Sequence, residues 1–493
     1  MGYRKEAVNG VKWNTVAKIV TEAVAVAQLA IVARFIDKAD FGSMSIVHVV
    51  LGMVGMFTDL GMYAAMIHKQ DTTQDQYNSL YWMNWALSVA CFLIVCVAAW
   101  PVAKFYGEAR LTGLIILTGT QILLLAFGKV FYTIKQKNLE FAFISQVRIL
   151  LCLVGFALTV LFAVLGFGVY ALILPGIVTG VINALVFSLA GRKQFRIRWH
   201  FNFAEIKDYF KIGLYDTGAQ LLDYVSYKID VLLVGRFFGM ETLGLYNMGK
   251  ELALKTMKII SPIINSVATP ILAKLQDSAE AVKENYLRIL RIVALVNFPV
   301  LAAFFVFADP VVVLFLSEKY QGAAPFLRIL CFWGMFASVG NPAGNLVIAK
   351  GRTDLSFKWT IIRVCCAPLA VFIAAKCFGT PNSVAYSQVV LQLVFFFIYW
   401  RILIYPLSGI TAGEYCGALS RGFSCAVLSA LTALVWHLFF AVTPVFGFAS
   451  PLPGNHWADL IGGCVVFSGA YFAYSWLLNR EMYRFLGHVL KKG

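Results

Sequence analysis

Asp216, Asp223 and Asp230 recur at seven-residue intervals within a stretch, 208–236, that is otherwise rich in leucine and valine. Seven residues of α-helix turn through about 700°, only some 20° short of two full turns, so the three carboxylates share one helix side about 21 Å long. Gln220 and Tyr227 fall on the same side. The next apolar stretch, 242–270, carries Lys250, Glu251, Lys255 and Lys258, of which Glu251, Lys255 and Lys258 share a face by helical spacing. Lys18 and Glu22 lie one turn apart in the first stretch, 10–34, and Asp59, Lys129 and Arg148 interrupt three others near the expected inner surface. Ionisable side chains are costly in hydrocarbon, so charges at such positions face a bundle interior or an aqueous cavity. Two readings stand: internal ion pairs that hold helices together, or the lining of a polar pathway. Cations in an open cavity attract an anion, most simply a phosphate or diphosphate. Carboxylates beside them suit proton or cation coupling, because burial raises a carboxylate pKa and a neighbouring cation lowers it.

The elements that position these residues are membrane spans. The chain has 493 residues, 60% hydrophobic and 13% charged, with a mean hydropathy of +0.77. An average soluble domain is roughly a quarter charged. About fourteen apolar windows of helix-spanning length run from 10–34 to 457–478, which predicts an all-α, polytopic membrane protein. The net charge of +16 raises nucleic acid as a partner, but the position of the charges argues against it. Lysine and arginine concentrate in the segments that are inside if the N-terminus is cytoplasmic, such as Arg192-Lys193, Arg196, Arg198 and Lys207, and thin out in the alternate ones. This is the positive-inside asymmetry, and it predicts cytoplasmic N- and C-termini. The ten cysteines have neither CxxC nor metal-ligand spacing, so no metal site and no cofactor is expected. No cleavage site precedes the first span, so no removed signal peptide is expected. The longest interruptions are 191–207, 271–286 and 309–324.

A weak internal repeat organises the spans. Ala33-Arg34-Phe35 followed by Phe41-Gly42 closes the first span, and Gly235-Arg236-Phe237 followed by Leu243-Gly244 closes the seventh. Arg34 precedes Gly42, and Arg236 precedes Gly244, by the same eight residues. Two six-helix copies follow, expected at 1–200 and 201–407, with two further helices and a cytoplasmic tail in 408–493. Parallel copies related by an axis along the membrane normal place a substrate site at their interface, so the charged helices are expected to meet there.

Several stretches together resemble a known family. They are Ala33-Arg34-Phe35 through Phe41-Gly42; Asp59-Leu60-Gly61 ahead of Ile67-His68-Lys69; Tyr81-Trp82-Met83-Asn84; Asp230 through Gly235-Arg236 to Leu243-Gly244-Leu245-Tyr246-Asn247; Pro270 to Leu275-Gln276-Asp277; and Gly340-Asn341-Pro342 through Lys350-Gly351-Arg352. In this order and spacing the chain resembles the Wzx-type flippases of the multidrug/oligosaccharidyl-lipid/polysaccharide transporter superfamily, on the side of the colanic-acid and teichuronic-acid exporters. The resemblance implies two six-helix lobes plus two helices, residing in a bacterial inner membrane. It also implies movement of an undecaprenyl-diphosphate-linked oligosaccharide repeat between leaflets by alternating access, with a proton or sodium ion as possible coupling ion and polysaccharide polymerases as possible partners. It puts Asp59, Asp230 and Arg236 in motif contexts. The alternatives are a lipid II flippase or a drug/cation antiporter of the same superfamily. An enzyme such as a glycan polymerase or ligase is disfavoured, because the outside connections hold no acid pair, nucleophile triad or metal-ligand spacing.

Overall fold

The computed structural model describes residues 2–58, 60–68, 72–192, 194–275, 278–442 and 456–478, and no strand occurs among them. Helix is what such a sequence must form in lipid, because the hydrocarbon supplies no hydrogen-bond partner for backbone N–H and C=O groups. In chain order the helices are α1 (Gly2–Val32), α2 (Lys38–Gly55), α3 (Met62–His68), α4 (Gln74–Tyr106), α5 (Arg110–Lys137), α6 (Phe141–Val164), α7 (Tyr170–Gly191) and α8 (Phe203–Lys274). There follow α9 (Ala279–Val306), α10 (Ala308–Leu316), α11 (Ala324–Lys350), α12 (Thr353–Phe378), α13 (Pro381–Tyr399), α14 (Tyr405–Ser408), α15 (Ala412–Val442) and α16 (His456–Leu478). Ten helical segments among the described residues are long and apolar enough to cross a membrane. The remaining expected spans, 43–67, 208–236, 242–270 and 457–478, fall on helices that are broken, charged or shorter.

Three departures from the sequence expectation have local causes. The second span is split between α2 and α3, where Leu60 (φ 43°) and Gly61 (φ 71°) take left-handed backbone. The seventh and eighth spans join as α8, interrupted at Gly239 with φ 83° and ψ 173°, a conformation essentially confined to glycine. The interruption at 309–324 is itself helical: α10 is followed by a 3-10 turn, Glu318–Ala323. Its run Val311-Val312-Val313-Leu314-Phe315-Leu316 is apolar, with Asp309 in the first turn where a helix N-terminus favours a carboxylate.

The chain divides into two compact units, Met1–Gly244 and Leu245–Gly493. In the first, α5 packs on α4 and α7, and α6 packs on α1 and α7. A core at one end gathers Met62, Met66, Tyr81, Val130, Phe131, Ile134, Val147, Phe187, Phe195 and Ile206. α4 begins with a capping box: Thr73 Oγ1 accepts from the Gln76 N–H, and Gln76 Oε1 accepts from the Thr73 N–H at 3.1 Å. The non-helical segment after α7 is tied to this helix start. Gln74 donates to the Arg196 carbonyl (2.9 Å), Trp82 Nε1 donates to the Arg198 carbonyl (2.9 Å), and the Arg198 N–H donates to Asn78 Oδ1 (2.7 Å). Phe195 plugs the segment into the core against Tyr77, Tyr81 and Phe131.

In the second unit α9 packs against α11 and α15, and α15 against α16. Gly422 sits so close to Ala294 that a side chain there would crowd the α9 backbone. Phe396 and Tyr415 stack at 4.8 Å between centroids. A short π-helical turn, Trp400–Ile404, leads into α14, where Pro406 occupies the first helical turn and has no N–H to donate.

Between α5 and α6, Lys135 Nζ donates to Glu140 Oε2 at 2.6 Å and Gln194 Nε2 donates to Glu140 Oε1 at 2.7 Å. Burial alone would raise the Glu140 carboxyl, but the Lys135 and Gln194 hydrogen bonds outweigh it and hold it below its ordinary value. A depressed folded-state pKa contributes stability that is complete above the ordinary carboxylate pKa and disappears as pH falls through the lowered value. Glu140→Gln is therefore expected to destabilise the purified protein by about 1–2 kcal/mol at neutral pH. Thermal unfolding from pH 7 down to pH 3 should show the wild-type advantage shrinking on acidification. An advantage that is constant across that range counts against the clamp.

Candidate functional site

The carboxylate side of α8 passes through two environments in the first unit. Gln220 and Tyr227 are exposed, Asp223 and Lys228 are half-buried, and Asp230 is 1% exposed. Asp230 Oδ1 accepts from the Val231 N–H at 2.9 Å, and Lys228 Nζ lies 5.6 Å from the Tyr227 ring centroid. The backbone of Asp216 continues the same helix, and Asp59 lies outside the described residues. Tyr224, beside Asp223, donates to the His48 carbonyl of α2 at 3.2 Å. Gly52 makes room for that phenol, since any side chain at 52 would overlap the Tyr224 hydroxyl.

Lys18 and Glu22 on α1 are half-buried, and neither makes an ion pair among the described residues. Lys129 on α5 is half-buried with its ammonium 5.1 Å from the Tyr63 ring centroid, and Arg148 on α6 is exposed and donates to Asn14 Oδ1 at 3.2 Å. In the second unit Lys250 is 3% exposed with its ammonium 5.6 Å from the Trp333 ring centroid, a cation over an aromatic face. Glu251 and Lys258 pair at 2.7 Å along α8, as their two-turn spacing predicts, while Lys255 is half-buried. The ion-pair reading thus holds for Glu251 with Lys258.

A second constellation in the first unit was visible in the sequence only as a repeat. The start of α2 crosses the chain just after Gly239. A methyl group on Gly42 would overlap the Met240 carbonyl oxygen, and one on Gly244 would overlap the Lys38 carbonyl oxygen. The contact is reciprocal, and each glycine meets the carbonyl four residues before its repeat mate. Lys38 Nζ adds an ion pair to Glu241 at 2.8 Å. Around it, Arg110 lies 3.4 Å from Asp40, the Arg236 guanidinium stands 4.9 Å from the Phe105 ring centroid, and the Tyr106 hydroxyl donates to the Leu232 carbonyl at 3.1 Å. Burial pushes the Asp40 carboxyl above its ordinary value, against the opposing pull of Arg110. The equal spacing of Gly42 and Gly244 after their arginines was the sequence signal for this crossing; Lys38 and Glu241 carried none.

Among the described residues no group of three His, Cys, Asp or Glu side chains could hold a metal ion. A family profile described as "Polysaccharide biosynthesis protein" matches residues 31–325. The chain belongs to that family. It is 28% identical over 419 residues to the lipopolysaccharide biosynthesis protein WzxC of Escherichia coli (strain K12), covering 84% of each chain. It is 26% identical over 404 residues to the teichuronic acid biosynthesis protein TuaB of Bacillus subtilis (strain 168), covering 82% of this chain and 83% of that one. The Wzx and teichuronic acid names are those toward which the motifs pointed. Its fold is that of the lipid II flippase MurJ in an inward closed conformation: the TM-score is 0.73 at 11% identity, with 96% of this chain and 100% of that one covered. This polysaccharide biosynthesis protein is therefore helical throughout its described residues, with ten segments long and apolar enough to cross a membrane.

The glycine crossing predicts a steep response to one methyl group. Gly42→Ala and Gly244→Ala each force a backbone shift, expected to cost about 1–3 kcal/mol and to lower the unfolding midpoint. Gly55→Ala, with open space around it, should leave the midpoint unchanged. The Lys38–Glu241 pair is partly exposed, so a double-mutant cycle should return about 0.2–1 kcal/mol of coupling. Gly42→Ala melting like wild type would contradict the crossing.

Proposed function

We propose that this family member carries an undecaprenyl-diphosphate-linked oligosaccharide repeat from the inner to the outer leaflet of a bacterial cytoplasmic membrane, for surface or exopolysaccharide export. The observation that carries the reading is the near full-length similarity to WzxC and TuaB, whose names place them in lipopolysaccharide and teichuronic acid biosynthesis, in a chain with charged side chains on membrane-embedded helices. Lipid II flippases and drug antiporters share the fold, so fold alone does not choose among cargoes; family membership favours the glycan exporters.

The work in this reading is physical transfer, with no bond made or broken. The polyprenyl tail stays in lipid while the glycan and its diphosphate pass through a polar route. Lys18, Lys129 and Lys255 are the cations offered to the diphosphate, while Lys250, buried against Trp333, acts only through the protein. The carboxylates Glu22, Asp59, Asp216 and Asp223 complete the polar lining, and a proton or sodium ion binding there would supply the coupling; Asp230 and Glu251 are engaged within the protein. Gln220, Tyr227 and Arg148 offer hydrogen bonds to sugar or phosphate. The alternating-access bodies are the two six-helix copies, 1–200 and 201–407, with 408–493 appended. Both termini are cytoplasmic, and polymerase partners consume the product outside.

A deletion strain is expected to lose surface glycan and to accumulate lipid-linked repeat units in the inner leaflet. Loss of glycan without that accumulation would count against translocation. Asp223→Ala and Lys255→Ala should each reduce export at least tenfold at wild-type membrane abundance. Normal export by both variants would remove these residues from the pathway.

A further inference from the structure

The segment 194–202 and the first half of α4 enclose a groove that the translocation reading does not use. Its cavity of about 770 Å3 is walled by Trp82, Trp85, Val89 and Leu93 of α4 and by Trp199 and Phe201 of the segment. The α4 wall is a single helical stripe. From Trp82 to Leu93 it rises about 16 Å, the depth of one leaflet of a hydrocarbon core about 30 Å thick. Trp199 is 87% exposed, yet it is held: its ring packs against Trp82 at 4.3 Å between centroids, and Trp82 is bonded to the Arg198 carbonyl. The aromatic wall is therefore fixed and open.

The chain beside the groove is basic: hydrogen bonds to Gln74, Asn78 and Trp82 hold the backbone of Arg196 and Arg198 against the start of α4, next to Trp199 of the groove wall. Arg192, Arg196, Arg198 and Lys207 are exposed, and none pairs with a carboxylate among the described residues. Glu205 is the one carboxylate within 192–207, and it is already engaged. It accepts from Ser79 Oγ and Asn202 Nδ2 at 3.2 Å each, and His200 Nε2 lies 3.3 Å from both of its oxygens.

We infer that this groove is a binding site for one anionic phospholipid, with an acyl chain along the α4 stripe and the headgroup phosphate at Arg196 and Arg198. The occupant follows from two features. The charge calls for an anion, and a groove one leaflet deep matches an acyl chain rather than a long polyprenyl tail. The inference rests on the membrane placement of α4 with 194–202 at the inner surface, not on the identity of the cargo.

The test uses the full-length protein in detergent with equimolar phosphatidylglycerol and phosphatidylethanolamine, read by native mass spectrometry. Wild type is expected to retain one phosphatidylglycerol per chain under activation that strips phosphatidylethanolamine. A basic side chain near an anionic surface is worth about a fivefold preference, so Arg196→Gln/Arg198→Gln should cut the preference about thirtyfold. Ala90→Trp, which fills the groove, should abolish the retained adduct while keeping the wild-type unfolding midpoint. Equal retention of the two lipids, or unchanged phosphatidylglycerol retention in both variants, overturns the site. Displacement of phosphatidylglycerol by equimolar undecaprenyl phosphate also overturns it, assigning the groove to the carrier lipid. The readout does not involve export, so these outcomes are independent of the translocation assay.

Discussion

Hydrocarbon solvates neither a peptide group nor a charge, and each irregular feature of this chain is placed where protein or water can do so instead. The segment 194–202 leaves the helical conformation, and its peptide groups find the side chains of α4: Asn78 accepts from the Arg198 N–H, while Gln74 and Trp82 donate to the Arg196 and Arg198 carbonyls. The polar residues at the start of α4 thus serve a second stretch of backbone in addition to their own. Gly239 interrupts α8 beside the ion pair of Lys38 with Glu241, and the break between α2 and α3 falls at Leu60 and Gly61.

The same constraint separates charges with different roles. Asp230 is sequestered, with its oxygen capping a neighbouring amide, whereas Gln220 and Tyr227 on the same helix side are open. Lys250 is buried against the face of Trp333, where the ring offsets part of the lost hydration, while Lys258 is exposed and tied to Glu251. A seven-residue period places groups on one side of a helix, but burial decides whether a group meets a ligand or only its own protein.

The crossing of Gly42 with the chain at Met240–Gly244 turns a faint repeat into a physical contact. Two backbones approach until carbonyl oxygens occupy the space of missing side chains, so the glycines are required by geometry and not by flexibility. Lys38 and Glu241 hold the approach from the flank.

Much of the architecture was legible along the chain. Helices fall where the apolar windows are, because in lipid hydrogen bonding within each segment is the only satisfactory local solution, but the split of the second span and the joining of the seventh to the eighth were not legible there. The shared face of Glu251 and Lys258 is a short-range pattern that a sequence carries whole, and the repeat at Arg34 and Arg236 is a likeness of two short stretches that can be read without knowing how they meet. The groove at Trp82 and Trp199, the clamp of Glu140 by Lys135 and Gln194, the seat of Lys250 on Trp333 and the contact of Gly42 with Met240 join residues far apart in the chain or pointing in directions that composition leaves open. Periodicity specifies the face of a helix, but what that face meets depends on how neighbouring helices pack. That was decided by the tertiary structure alone.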